Sequence, residues 1–186
     1  MKKQNVKKLA VTAMLLALSA VLSLIKIWQM PLGGSITLLS MVPITLVSIM
    51  FGVPWGLFSS LVYAVMQIGL DISGMMGWSM TPTMWVGALV FDYLVAYSAL
   101  GFAGLLRKKG ASGIIAGVSI ALGLRFVSHF ISGCIFFGTW SPWSNAYIYS
   151  LCYNGAYMLP ELILTLAAVI VLYKTGAIRQ LLKQTE

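Results

Sequence analysis

Residues 91–106 read FDYLVAYSALGFAGLL, an apolar run of helical character that carries one carboxylate, Asp92. The 186-residue chain has only four acidic residues against twelve Lys and Arg, so a carboxylate in such a run asks for a physical reason. Hydrophobic residues make up 60% of the chain, charged residues 9%, and the mean hydropathy is +0.94. A water-soluble fold of this size could not cover so much apolar surface. The stretch therefore reads as part of a membrane-crossing helix. Residues 1–186 read as a single all-α membrane domain with lipid as its solvent. No internal repeat, low-complexity tract or long polar insertion divides it.

Working outward, six spans are expected at approximately 9–28, 36–51, 55–71, 83–106, 113–138 and 147–173. Gly and Pro gather between them, in PLGGS (31–35), FGVPWG (51–56), DISGMMGWSMTPT (71–83), RKKGASG (107–113) and GTWSPWSN (138–145). The second and third spans are short enough for tilt or partial re-entry, and Pro43 is placed to kink the second. MKKQNVKK before the first apolar run imitates a signal peptide. That run is about 20 residues long and no small-x-small cleavage site stands out before the next span, which favours a retained helix. Cys134 and Cys152 sit in apolar segments and read as packing residues; no metal-ligand spacing appears.

Positive charge sets the orientation. Lys2, Lys3, Lys7 and Lys8 precede the first span, Arg107, Lys108 and Lys109 fill the fourth connection, and Lys174, Arg179 and Lys183 follow the last. With six spans all three clusters fall on one side, which places both termini in the cytoplasm. The +8 net charge is accounted for by that asymmetry without nucleic-acid binding.

Orientation gives the polar residues depths. Asp92 is nine residues from Thr83 and His129 nine from Gly138, about 14 Å below the outer ends of their spans. Asn154 lies about 10 Å below Tyr147, with Tyr149 above it. Tyr63 and Gln67 are one turn apart on the third span, below Asp71. Four helices thus direct polar groups to the outer half of one bundle. Each residue alone has a plainer reading. Asn and His often join helices by hydrogen bonds, and Tyr149 and Tyr93 suit an interface or a core. Asp92 is the exception, because a carboxylate in hydrocarbon costs about 2.5–3.5 kcal/mol on insertion scales. Arg125 and Glu161, both near the midplane of adjacent helices, read as a buried ion pair.

Trp28, Trp78, Trp85, Trp140 and Trp143 lie toward the outer ends of spans, and Trp55 toward the inner side. That bias fits either an interfacial belt or an aromatic-lined cavity opening outward. A carboxylate among aromatic faces suits a small, flat, cationic or basic heteroaromatic ligand, whose edge Asn154, Gln67, Tyr149 and His129 could read.

Four stretches carry a resemblance: PLGGSITLLSMVPI (31–44), FDYLVAYSALGFAGLL (91–106), RFVSHFISGCIFFG (125–138) and IYSLCYNGAYMLP (148–160). In that order and spacing the chain resembles the thiamine-specific substrate-binding (S) components of energy-coupling factor (ECF) transporters, the ThiT/YuaJ family. The resemblance implies a six-helix bundle with an outward thiamine site capped by the loop after the first helix. It implies ligand contacts from Asp92, Tyr93, His129, Tyr149 and Asn154. The family's stacking tryptophan of helix five falls at Phe137 and that of helix three at Tyr63, one turn from Gln67. Some relatives carry Glu at Asp92. The capping tryptophan falls at Gly34, so Trp28 or another aromatic would have to cover the ligand.

In LAVTAMLLALSA (9–20), Ala13 and Ala17 share a helical face, with Ala10 and Ala20 nearby, and small residues so spaced admit a close helix partner. In the family this face docks on the transmembrane coupling subunit, and two ATPase subunits supply energy. The chain itself has no GxxxxGK[ST] phosphate loop and no Ser/His/Asp, HExxH or paired-carboxylate arrangement. An enzyme is therefore not expected, nor a cofactor. A binding subunit for another vitamin or a thiamine precursor stays open, as does a small intramembrane enzyme using Asp92 and His129.

Overall fold

The computed structural model describes residues 2–77, 80–138 and 141–183. Trp78 and Trp140 lie outside them. Among the described residues five helical segments are long and apolar enough to cross a membrane: Gln4–Leu24, Val53–Met75, Pro82–Gly104, Arg107–Phe136 and Ala146–Lys174. A shorter apolar helix, Met41–Phe51, lies among them. In chain order the helices are α1 (Lys2–Leu24), α2 (Met41–Phe51), α3 (Val53–Met75), α4 (the segment Pro82–Gly104), α5 (Gly110–Phe136), α6 (Ala146–Lys174) and α7 (Ala177–Lys183).

Two expected spans need correction. The first helix stops at Leu24 rather than 28, and the second span begins as a strand. Lys26–Gln29 (β1) pairs antiparallel with Ser35–Thr37 (β2), with Lys26 opposite Thr37 and Gln29 opposite Ser35. The apolar residues here are β-branched or aromatic and flank PLGG, a composition that favours a hairpin over a helix. Leu32 (φ 62°) and Gly33 (φ 95°) make the turn. Leu32 occupies the left-handed region at a steric cost that its surroundings must hold. What remains of the second span is α2, 11 residues or about 16 Å, too short for a hydrocarbon core of about 30 Å. Pro43 sits in its first turn, where the missing N–H is not needed, and does not kink it.

All residues from Met41 to Met50 are buried, so α2 is the apolar post around which the longer helices pack. Its C-terminal carbonyls, Ile49 O and Met50 O, accept from Arg107 Nη1 at 3.2 and 2.6 Å, a cation at the negative end of the helix. Against α2 lies the inner end of α4, a 3₁₀ turn at Ala99–Gly104. Ser48 Oγ donates to Gly101 O and accepts from Gly104 N–H at 2.9 Å. A Cβ at Gly104 would stand 2.1 Å from Ser48 O, so the backbones touch and only glycine fits. Higher in α4, residues Leu89–Val95 form a π-helical turn, and Asp92 and Tyr93 lie within it.

Gly104→Ala should therefore lower the melting midpoint in detergent by about 2–12 °C, from an overpacking cost of about 1–3 kcal/mol. Gly123→Ala, where a Cβ meets nothing within 4 Å, is the matched control and should cause no loss. Equal midpoints for both would show that the α2–α4 contact yields without cost.

Candidate ligand-binding site

The π turn of α4 brings Asp92 against α5. Asp92 Oδ1 lies 2.9 Å from His129 Nδ1, and Ser132 Oγ donates to Oδ2 at 2.6 Å. Ser128 Oγ, on the same face of α5, donates to Phe91 O at 2.6 Å. A carboxylate accepts only, so the bond to Asp92 assigns the His129 proton to Nδ1. His129 Nε2 is buried and has no hydrogen-bond partner among the described residues.

These groups open onto a cavity whose volume, counted as positions for the centre of a water molecule, is ≈ 90 Å³. Of the residues singled out from the sequence, Asp92, Tyr93, His129, Phe137, Tyr149 and Asn154 line it. Gln67 lines a smaller cavity next to it, and Tyr63 lines neither. Tyr63 is fully buried, accepts from Gln67 Nε2 at 2.6 Å and donates to Ser19 O at 3.3 Å, which ties α3 to α1. Asn154 is engaged within the protein: Nδ2 donates to Ser150 O (2.9 Å) and His129 O (3.3 Å), and Oδ1 accepts from Tyr157 OH (2.8 Å).

Several wall residues were not singled out. Tyr153 and Tyr157 follow Tyr149 at four-residue steps, and their rings lie 5.8 and 6.0 Å apart in sequence order along one face of α6. That spacing was visible in IYSLCYNGAYMLP and was the missed signal. The hairpin tip from Leu32 to Ser35 closes another side, and no local sequence feature announces that long-range approach. Asp71 also reaches the wall; it accepts from Tyr93 OH at 3.3 Å and pairs with Lys26 at 3.6 Å.

Trp28 is half exposed on β1 and does not line the cavity, nor do Trp85 and Trp143. Trp143 stacks edge-on to Tyr149 at 5.7 Å. Among the described residues the aromatic walls are tyrosine, phenylalanine and His129. At Gly34 a Cβ would stand 2.8 Å from the Tyr157 ring, so the hairpin lies flat on α6 where an indole has no room. Tyr153 OH accepts from Gly34 N–H at 3.2 Å and donates to Pro31 O.

The expected Arg125–Glu161 ion pair is absent. Among the described residues the ion pairs are Lys26–Asp71 and His129–Asp92. Arg125 instead lies over the Tyr97 ring, 4.4 Å from its centroid, with Nη1 2.9 Å from Met41 Sδ. Glu161 accepts from Thr37 N–H at 2.9 Å and Thr37 Oγ1 at 2.8 Å, which fixes the base of the hairpin to α6. Both residues were expected near the midplane, but residue counts along a helix do not show that Thr37 of β2 takes up the Glu161 carboxylate.

Tyr153→Phe removes both bonds from α6 to the hairpin tip. Amide hydrogen exchange at Gly34 should rise by about 2–10-fold, the worth of an ordinary hydrogen bond. Unchanged exchange would mean that the strand ladder and Glu161 hold the tip unaided.

The chain has relatives in sequence and in fold. A family model described as "Thiamine transporter protein (Thia_YuaJ)" matches residues 9–180. The thiamine transporter ThiT of Bacillus subtilis is 34% identical over 161 residues, which cover 80% of this chain and 79% of that protein. ThiT of Lacticaseibacillus paracasei is 32% identical over 96 residues, 45% of this chain and 48% of that one. A solved structure of ThiT from Listeria monocytogenes superposes with a TM-score of 0.75 at 22% identity, covering 96% of this chain and 98% of that one, and shares the fold. The protein is a multi-pass membrane protein with a helical-bundle fold. The match over residues 9–180, together with the Bacillus subtilis relative, makes this chain a member of the thiamine transporter (Thia_YuaJ) family.

Proposed function

We propose that this chain is the substrate-binding subunit of an ECF-type vitamin importer and binds thiamine with high affinity at an outward-facing site within the membrane. The observation that carries the reading is Asp92, a carboxylate held by His129 and Ser132 at the wall of a tyrosine-lined cavity in a thiamine transporter family member. A thiazolium cation in low dielectric gains from such a counter-charge and from aromatic faces. His129 Nε2 and the hydroxyls around the cavity supply hydrogen bonds to the ligand's edge. The basic clusters put both termini in the cytoplasm.

Partner ATPases and a transmembrane coupling subunit drive transport, and the chain needs no cofactor of its own. Ala13 and Ala17 are exposed on α1, where a helix of the coupling subunit could approach closely. The geometry around Asp92 supports binding over catalysis. Ser132 Oγ–H donates its hydrogen bond to Asp92 rather than to His129, so it is not poised as a nucleophile activated by that histidine would be.

Thiamine titrated into the purified protein should quench tryptophan fluorescence saturably. Asp92→Asn should weaken binding by about 10–150-fold, the equivalent of about 1.5–3 kcal/mol for a charged hydrogen bond, with the fold intact. Folded protein that ignores thiamine would falsify the ligand assignment; equal affinities would remove Asp92 from the site. Ala13→Leu combined with Ala17→Leu should abolish co-purification with the coupling and ATPase subunits and leave thiamine affinity unchanged. Retained assembly would place the docking face elsewhere.

A further inference from the structure

Beneath the ligand cavity lies a second, narrow one of ≈ 20 Å³ by the same measure, enough for one water molecule. The two share walls at Ser35, Asp71, Tyr97, Arg125 and Tyr157. The inner one adds Thr37, Ser40, Gln67 and Glu161.

Arg125 and Glu161 face this cavity without touching. Arg125 is 6% exposed and Glu161 2%, so neither charge is relieved by bulk solvent. Among the described residues Arg125 Nε, which is buried, has no hydrogen-bond partner, and its Nη1 meets a thioether sulfur, a weak acceptor. Glu161 spends one acceptor site of each oxygen on Thr37, and a carboxylate has about four. A guanidinium N–H without an acceptor and a carboxyl with unused acceptor capacity thus border a space of one-water size.

We propose that the inner cavity is a binding site for one neutral hydroxyl-type oxygen that accepts from Arg125 Nε–H and donates to Glu161. The lining favours a neutral occupant: its two acidic residues, Glu161 and Asp71, balance its two basic ones, Arg125 and Lys26, and Lys26 already pairs with Asp71. An oxygen that both donates and accepts satisfies both sides and relieves the cost of two separated buried charges. It also closes a continuous path from the ligand cavity through Arg125 and Glu161 to Thr37 at the base of the hairpin. The oxygen has two sources: solvent water, or the hydroxyl of a ligand entering from the outer cavity. Only the second source rests on the thiamine reading.

The test is a crystal structure of the purified protein at about 2 Å or better, grown with and without thiamine. The expected result without thiamine is a water within hydrogen-bond distance of Arg125 Nε and a Glu161 oxygen. With thiamine present, an unmoved water assigns the source to solvent, and replacement by the thiamine hydroxyl assigns it to the ligand. A direct Arg125–Glu161 ion pair, a dry cavity, or an anomalous bromide peak there after a bromide soak overturns the proposal. Melting midpoints give a second reading. Arg125→Gln and Glu161→Gln should each lower the midpoint by at least about 4 °C, and the double variant should lose less than the sum of the two. Additive losses would show that no bridging group couples them.

Discussion

A carboxylate in an apolar bundle must have its oxygens satisfied by the protein or by a ligand, and much of this structure serves that constraint at Asp92. Both oxygens are bound by side chains of one α5 face, His129 and Ser132, and Ser128 secures the preceding carbonyl. Bonds of this kind lock the π turn of α4 to α5. They leave the acidic group partly facing the cavity, with the side chain 14% exposed. The histidine acquires a fixed tautomer and a second nitrogen without a partner among the described residues. The same bonds that make the charge tolerable in the membrane create the polar wall of the site.

The remaining walls depend on backbone approach. Glycine and serine let α2 and α4 touch at Ser48 and Gly104, which seats the buried short helix in the centre of the bundle. Because α2 is short, the chain between α1 and α2 is free to fold as a hairpin. Glu161 holds one end of that hairpin through Thr37, and Tyr153 holds its tip. Gly34 permits the tip to lie against Tyr157. A cavity wall is thereby made from a segment far in sequence from the helices that carry the charged groups.

Arg125 marks the boundary between the outer and inner cavities. Packed over Tyr97 and beside Met41, it is held by a ring face and a sulfur, neither of which satisfies a guanidinium fully. Its position makes it a wall shared by the outer and inner cavities. Ligand cavity, inner cavity and hairpin base then form one connected polar system within an apolar bundle.

The sequence by itself determined the membrane class and the long helices, and its residue counts set Asp92, His129, Tyr149 and Asn154 at similar levels of neighbouring helices, where one cavity takes them all as wall. Each rests on a local property: run length, charge asymmetry, or residue count along a 1.5 Å rise. Local patterns were weaker where two structures compete for one apolar run. Residues 25–37 are hydrophobic enough for a helix, yet their β-branched residues, PLGG turn and contacts to α6 made a hairpin. Only the tertiary structure decided that Glu161 would bind Thr37 instead of Arg125, that Tyr63 would brace α1, and that Tyr153 would clasp the hairpin. Those outcomes depend on which segments approach within hydrogen-bond distance across 44 to 124 residues of chain. Hydropathy and spacing carry no information about that distance.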